Sequence, residues 1–568
     1  MLLRKQCRPY SLETTRRSAV VGGEPAAESL LSWLQQNGGT VVNGVTYQRS
    51  QHFGYGLCVE NAVAAGDELV LVPDACTLRV DDGRDIPEKL QRLVAGAGGD
   101  SSAPIIPEEL WGLRLGLRLL HERSLGTKSP WASYVALLPE TYGVPMFFAP
   151  EEVAALQYPP LAAQVAKRGR FLQTICSEFD LSGGGGRAIF NGLTADMGAV
   201  GWAFAAVTSR AFRLRGPNMP ASLLPVIDLC NHAFKEYGQG SSVNCEVLPH
   251  QGSDGSGGAK LVATRDICPG EELLINYGDL SNDLFLLDYG FLPGLDDGSA
   301  HSSDSVHSDN PFDTVEVSFS PQILDAAAAI SNVDLNLPDG KLLRYQEAVL
   351  ATLGLQPNAP GSVFLGAGAA AAAGWDGSGG ANANLGVDPR LVAAARVLSS
   401  RSIDDLTLPA SSSLRSAKKE KTPKKAQKGG SVTEFPPQCA LGTLGGGGKT
   451  DGALGRSGET VALRSMLGLC ATTLSSFPTT IEEDRALLAQ GRRQGSHGAM
   501  SLNMRTAVAF RATKKKHLVD CIASLAELAR QLTPPTSPSP ATPPKKKQGS
   551  SGEGKGFGYN AKYFGNKK

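Results

Sequence analysis

The sequence predicts an α+β protein: a β-rich unit interrupted by a helical insert, followed by an all-α unit. Three observations carry this. Residues 40–80 and 220–292 hold short Val/Leu/Ile runs punctuated by glycine and proline, as in "GDELVLVP" and "GEELLINYG", the pattern of short strands and turns. Residues 107–212 carry apolar residues at helical spacing instead, in "EELWGLRLGLRLLHER" and "DMGAVGWAFAAVTSRAF". Beyond the polar, turn-rich stretch "DDGSAHSSDSVHSDNP" at 296–311, the helical pattern returns.

Taken in order, these patterns divide the chain. Residues 25–295 form the β-rich unit, with its helical insert over about 105–212; 296–311 is a linker; 312–532 is the helical unit. Within the latter, Pro478 precedes a capping-box pattern of Thr480 with Glu483, and Leu518, Ile522, Leu525, Ala529 and Leu532 line one face of a last helix. Residues 359–386 are Gly/Ala-rich, and 399–460, with "AKKEKTPKKAQKGG" and "GTLGGGGKTDGALG", reads as a disordered insertion that cannot bury enough apolar surface to stay ordered. The tail, 533–568, carries "PPTSPSPATPPKKK" and is expected to be unstructured.

Composition narrows the function. Lysine plus arginine equal aspartate plus glutamate at 55 each, so no global charge selects nucleic acid or a membrane surface as partner. The lysine runs at 418–428 and 545–547 lack interleaved aromatics and read as solvated segments. Ten cysteines without a CxxC pair argue against a zinc ribbon or a disulfide framework. No apolar run is long enough to span a bilayer. "GGGGKT" at 445–450 fails as a phosphate loop, because the first glycine of the motif would fall on Thr443 and no strand precedes it. "SGGGGR" at 182–187 lacks the strand and helix of a dinucleotide site and reads as a loop insertion. Residues 1–24 form a possible transit segment: Arg4, Lys5, Arg8, Arg16 and Arg17 face only Glu13, among Ser11, Thr14, Thr15 and Ser18. The chloroplast is the expected compartment, with mitochondrion or cytoplasm as alternatives.

Five stretches remain: "HFGYGLCVENAVAAGDELVLVP" (52–73), "SPWASYVALLP" (129–139), "SRAF" (209–212), "PVIDLCNH" (225–232) and "GEELLINYGDLSNDLFLLDYGF" (270–291). Their order and spacing resemble the SET-domain methyltransferases, and most closely the Rubisco large-subunit methyltransferase branch. "SSFPTTIEEDRALL" (475–488) and "RTAVAFRATKKKHLVDCI" (505–522) are similar to that branch's helical substrate-binding domain. The resemblance implies transfer of a methyl group from S-adenosyl-L-methionine to a protein lysine, with no metal. Such a reaction needs donor and acceptor on one axis about 3 Å apart and an unprotonated amine, whose ordinary pKa is near 10.4. A narrow, partly apolar channel beside a cationic sulfonium favours that neutral form.

The resemblance also assigns roles. Tyr277 is the expected catalytic residue, its hydroxyl directed at the transferring methyl and the incoming nitrogen. Phe53, Gly54 and Tyr55, in the "FGYG" turn, would embrace the cofactor with their backbone, although by itself the turn could be an ordinary hairpin. Arg210 would pair with the cofactor's carboxylate, Asn231 and His232 would hold its adenine and amino-acid ends, and Tyr289 with Phe291 would wall its pocket. Ser209 and Phe212 would border the lysine channel, and Asp228 would be structural or contact substrate. The polar "GDLSND" would form the turn that brings Tyr277 and Tyr289 together. In related proteins the asparagine–histidine segment and the final tyrosine segment cross in a knot-like arrangement.

The chain departs from the compact family core by inserting "HQGSDGSGG" at 250–258 between two strands and a long low-complexity block in the helical unit, both expected to loop out without consequence. It also lacks the cysteine cluster that binds zinc after the last tyrosine in many histone-directed relatives. The expected partner is therefore a non-histone protein with an exposed lysine, Rubisco's large subunit or another plastid protein among the candidates, with the enzyme a monomer. Two alternatives remain open at this point: histidine as the acceptor in the same fold, and a binding module that has lost catalysis.

Overall fold

The apolar run Leu69–Val72 in "ELVLVP", with Leu69, Val70 and Val72 buried, builds the central strand of the first unit, Glu68–Pro73. In the computed structural model, which describes residues 24–42, 44–50, 54–82, 84–95, 103–214, 220–234, 243–252, 257–294, 310–355, 361–373, 386–406, 454–493 and 500–532, this strand lies in a four-stranded antiparallel sheet. The order runs Thr40–Val41, Glu68–Pro73, Gly257–Ala263, Cys245–Gln251, with Thr40 opposite Leu71 and Val247 opposite Leu261. The last two strands form a hairpin that extends into the 250–258 insertion from both sides. Small two-stranded ribbons complete the β-rich part: Val45–Ser50 with Gly54–Val59, Ala211–Phe212 with Ser222–Leu223, and Asn231–His232 with Leu274–Ile275.

The helical insert packs on this sheet through one core that includes Leu57, Leu69, Leu117, Trp131, Ala203 and Leu261. Its helices Trp111–Leu125 and Met197–Arg210 approach closely, because a side chain at Gly116 would stand 3.3 Å from the backbone of Ala203. Asp196 caps the second of these, accepting from the Ala199 N–H at 2.8 Å. The glycine run at 182–187, read from sequence as a loop, instead winds into a short helix, Gly184–Ile189. Glycine is what permits it: a Cβ on Gly186 would overlap the Leu181 carbonyl, while Ile189 and Phe190 anchor the turn in the core.

The second unit has its own core, on helices Pro321–Ile330, Pro389–Ser399, Gly455–Ser475 and Leu502–Leu532. A two-stranded antiparallel sheet, Val315–Phe319 with Gly361–Leu365, adds to these helices and was not legible in the sequence. The capping box is formed as read: Glu483 N–H donates to the Thr480 hydroxyl at 3.1 Å and Thr480 N–H to the Glu483 carboxylate at 2.7 Å. Leu518 and Leu525 of the last helix are fully buried. The insertion read as 399–460 has ordered shoulders, because Arg396 and Glu459 form a fully buried ion pair that ties the helices on either side; 407–453 lies outside the described residues. The same is true of "GGGGKT", both lysine runs, the tail, the possible transit segment before Glu24 and most of the linker.

The two cores do not divide where the motifs do. Phe148, Leu156, Tyr158 and Leu161 of the insert, with Leu286, Leu287 and Leu292 of the tyrosine segment, belong to the second core. A buried polar network follows the same seam: Lys514 reaches Asp283, Asp313 and the Thr314 carbonyl, and Asn282 donates to Asp313 at 2.9 Å.

Candidate active site

The parallel pairing of Asn231–His232 with Leu274–Ile275 places Asn231 opposite Leu274 and His232 opposite Ile275, so the two motif segments run side by side. This brings Tyr277, two residues past the strand, against both. Its phenol donates to the Cys230 carbonyl at 2.7 Å, and its backbone N–H donates to His232 Nδ1 at 3.1 Å. With the hydroxyl hydrogen committed to Cys230, the phenol oxygen keeps its lone pairs for another group. Burial holds this phenol well above its ordinary pKa despite the opposing Arg210 guanidinium, so it stays protonated and cannot serve as a general base.

Tyr289 lies at the end of a π-helical turn, Phe285–Tyr289, that closes on Gly290 in the left-handed conformation. Its ring stacks on Tyr277 with centroids 5.0 Å apart and planes at 20°. Phe291 meets both rings edge-on, at 6.5 and 6.3 Å, and Phe285 packs behind them. Burial pushes the Tyr289 phenol up to about 12. The sequence expectation that "GDLSND" brings the two tyrosines together is met.

His232 sits among Phe234, Tyr277 and Phe285 with ring centroids 4.6, 5.2 and 4.7 Å away. Burial pushes its pKa down to about 4, so the ring is neutral at physiological pH. Because Nδ1 accepts from Tyr277, the proton is assigned to Nε2, a buried atom without a hydrogen-bond partner among the described residues. The Asn231 amide donates to the Glu272 carboxylate at 2.6 Å. Gly56 backs directly onto this pair: a Cβ there would fall 2.4 Å from Glu272 and 2.8 Å from Asn231. Gly54, at φ +79°, opens the same strand with free space around it, and Tyr55 packs edge-on against Tyr47 at 5.9 Å. Phe53 lies outside the described residues.

Arg210, at the end of helix Met197–Arg210, donates from its guanidinium to the Asp228 carbonyl at 3.1 Å and carboxylate at 3.3 Å. Burial disfavours this guanidinium's charge, but Asp228 outweighs it and keeps Arg210 ionised. Asp228 is fully enclosed: burial raises its pKa against the pull of Arg210 and of Tyr134, whose hydroxyl donates to it at 2.8 Å. Asp228 is thus structural in this arrangement. Ser209 turns its hydroxyl back onto the Ala205 carbonyl at 2.8 Å, while Phe212, paired with Ser222, is half-buried at the edge of the first core.

Sequence reasoning passed over Tyr134, Tyr142, Cys230 and Glu272, which position the named residues. Tyr142 lies beside Arg210, and burial pushes its phenol up to about 12 against the pull of that guanidinium. Gly143 and Gly290 meet backbone to backbone, where a Cβ on Gly290 would stand 2.7 Å from the Gly143 carbonyl carbon, so the Tyr142–Gly143 and Tyr289–Gly290 pairs are locked together.

A donor with polar and apolar parts suits these residues: the open space at Gly54, the His232 Nε2 that has no hydrogen-bond partner among the described residues, and the aromatic wall of Tyr289 and Phe291 lie side by side. Among the described residues, no cluster of three or more His, Cys, Asp or Glu is arranged to hold a metal ion.

Two family models match the chain: the SET domain over residues 54–278 and the Rubisco LSMT substrate-binding domain over residues 338–518. Among curated proteins, the actin-histidine N-methyltransferase of Gallus gallus is 24% identical over 276 residues, 46% of this chain and 42% of its own length. That of Danio rerio is 26% identical over 225 residues, 36% of this chain and 34% of its own. The chain thus spans less than half the length of these curated relatives. A crystal structure of the SET domain of LSMT bound to lysine and AdoHcy matches with a TM-score of 0.54 at 17% identity, covering 89% of this chain and 92% of that one. A structure of Rubisco LSMT bound to AdoMet gives a TM-score of 0.53 at 17% identity, covering 89% and 93%. These likenesses show the fold.

Proposed function

The chain belongs to the SET-domain proteins that carry a Rubisco LSMT substrate-binding domain, and from that premise we propose that it is an S-adenosylmethionine-dependent protein-lysine N-methyltransferase acting on a non-histone protein. The observation that carries this reading is Tyr277, a half-buried, protonated phenol whose hydrogen is spent on Cys230 and whose ring packs against Tyr289 and Phe291. S-adenosylmethionine supplies a methyl group on a sulfonium. The chain's own residues do the rest: Gly54, Tyr55, Asn231 and His232 hold the donor, Tyr289 and Phe291 exclude water, and the Tyr277 oxygen orients the acceptor amine by accepting from it. No general base is required once the amine enters unprotonated.

Lysine is favoured as acceptor by Phe212, whose apolar ring offers an imidazole no hydrogen bond, whereas a long alkyl stem packs against it without penalty. Histidine is the second reading, supported by the curated relatives, whose names specify an actin histidine. The substrate-binding domain presents the protein partner.

Incubation of the full chain with tritiated S-adenosylmethionine and a plastid or cell extract tests this. After acid hydrolysis, label is expected in methyl-lysine for the wild type and nearly absent for Tyr277→Phe. Label in methyl-histidine would replace the acceptor, and equal labelling by both proteins would remove Tyr277 from the chemistry.

A further inference from the structure

We propose that Val226 is a positioning residue of this site: its strained backbone sets where Asp228 and the Cys230 carbonyl fall, and through them where the Tyr277 phenol is held. This rests on the reading of Tyr277 as the catalytic group.

Val226 has φ 75° and ψ −54°, close to the rare strained γ-turn near φ about +75°, ψ about −65°. A branched Cβ makes this among the least favourable residues for a positive φ. The other non-glycine residues at positive φ among those described are Gln157, Asp180, Asn191, Asn332 and Asp339, none of them β-branched. Val226 is also completely buried, so no solvent-facing loop absorbs the distortion.

Both flanks of the turn are pinned. Upstream, Leu223 exchanges hydrogen bonds with Leu78 at 3.0 and 3.1 Å, and Pro225 restricts the backbone before Val226. Downstream, Asp228 N–H closes onto the Leu224 carbonyl and Leu229 N–H onto the Val226 carbonyl, each at 3.0 Å. The Asp228 side chain is then clamped by Tyr134 and Arg210, and Asn231 enters the ladder opposite Leu274. Strain of this kind persists only where the surroundings over-determine it. The constrained segment ends at Cys230, whose carbonyl accepts the hydrogen bond from the Tyr277 hydroxyl. A stiff, branched residue at that point leaves the segment one conformation, where glycine would leave several.

Val226→Gly and Val226→Ala in the full chain separate strain from packing, because both remove the two buried γ-methyls and differ from each other only in Cβ. At an ordinary site the alanine variant would be the more stable; at positive φ the order inverts. The expected result is a higher denaturation midpoint for Val226→Gly than for Val226→Ala. Despite that, the amides of Leu229, Cys230 and Tyr277 should exchange with solvent at least about 10-fold faster in the glycine variant. Methyl transfer into the same extract should be at least about 10-fold slower in it, with calorimetric affinity for S-adenosylmethionine within about 3-fold of the alanine variant. A higher midpoint for the alanine variant would show that the turn stores no strain. Exchange in the glycine variant no faster than in the alanine variant would show that the strain positions nothing. If the wild type transferred no label at all, the methyltransferase reading would fail, and the midpoints and exchange rates would still decide the role of Val226.

Discussion

The Tyr277 hydroxyl donates to the Cys230 carbonyl at 2.7 Å, and this bond joins the last strand of the β-rich unit to the turn that carries Asp228, Asn231 and His232. Removing only the oxygen, in Tyr277→Phe, keeps the ring stack with Tyr289 while deleting the polar atom that orients the acceptor. Methyl transfer is expected to fall about 100- to 1000-fold. Folding stability should fall by only about 1 kcal/mol, measured by chemical denaturation. A comparable loss in both would make Tyr277 a structural residue.

Gly290 and Gly143 tolerate no side chain where they meet. Gly290→Ala combines a positive φ of +80° with a contact of 2.7 Å to the Gly143 carbonyl carbon, whereas Gly143→Ala meets the Gly290 carbonyl oxygen at 2.8 Å without the backbone penalty. Each substitution is expected to cost about 1–3 kcal/mol in denaturation, with Gly290→Ala the more costly. The aromatic near-ultraviolet circular dichroism from the Tyr277–Tyr289 stack should weaken in both variants.

His232 imposes a pH dependence on stability. Its pKa falls from the ordinary 6.5 to about 4 on burial, so between these values the unfolded chain binds a proton that the folded chain refuses. Stability from this group is therefore complete above pH 6.5 and is lost as pH falls through 4, by about 3 kcal/mol in all. Denaturation midpoints collected over that range should show the slope. In His232→Asn, whose amide oxygen can still accept from the Tyr277 N–H, the slope should diminish by one proton.

Lys514 is fully buried against Asp283 and Asp313, at 2.8 Å from the latter. Lys514→Met leaves two buried carboxylates without their cation and is expected to cost about 3–5 kcal/mol, read from urea denaturation. Adding Asp283→Asn and Asp313→Asn should recover part of that loss, since the uncompensated charge rather than the missing lysine carries most of it. A Lys514→Met chain as stable as the wild type would show that His517, which meets Asp313 at 2.9 Å, suffices for the cluster.

Local pattern determined a great deal here. The strand in "ELVLVP" and the Thr480–Glu483 box both follow from residue types within a few positions of one another, and the structure forms each of them. The motif positions 231, 232, 277, 289 and 291 likewise assemble into one cluster, because their spacing spans two adjacent strand segments and one tight turn. What the tertiary structure alone decided are contacts between residues far apart in the chain. Arg210 finds its charge partner in Asp228, Asn231 finds Glu272, Gly143 finds Gly290, and the tyrosine segment shares its core with the helical unit. The strained φ of Val226 belongs with these. Valine by itself disfavours that conformation, and only fixed partners on both sides, contributed by other parts of the chain, hold it there.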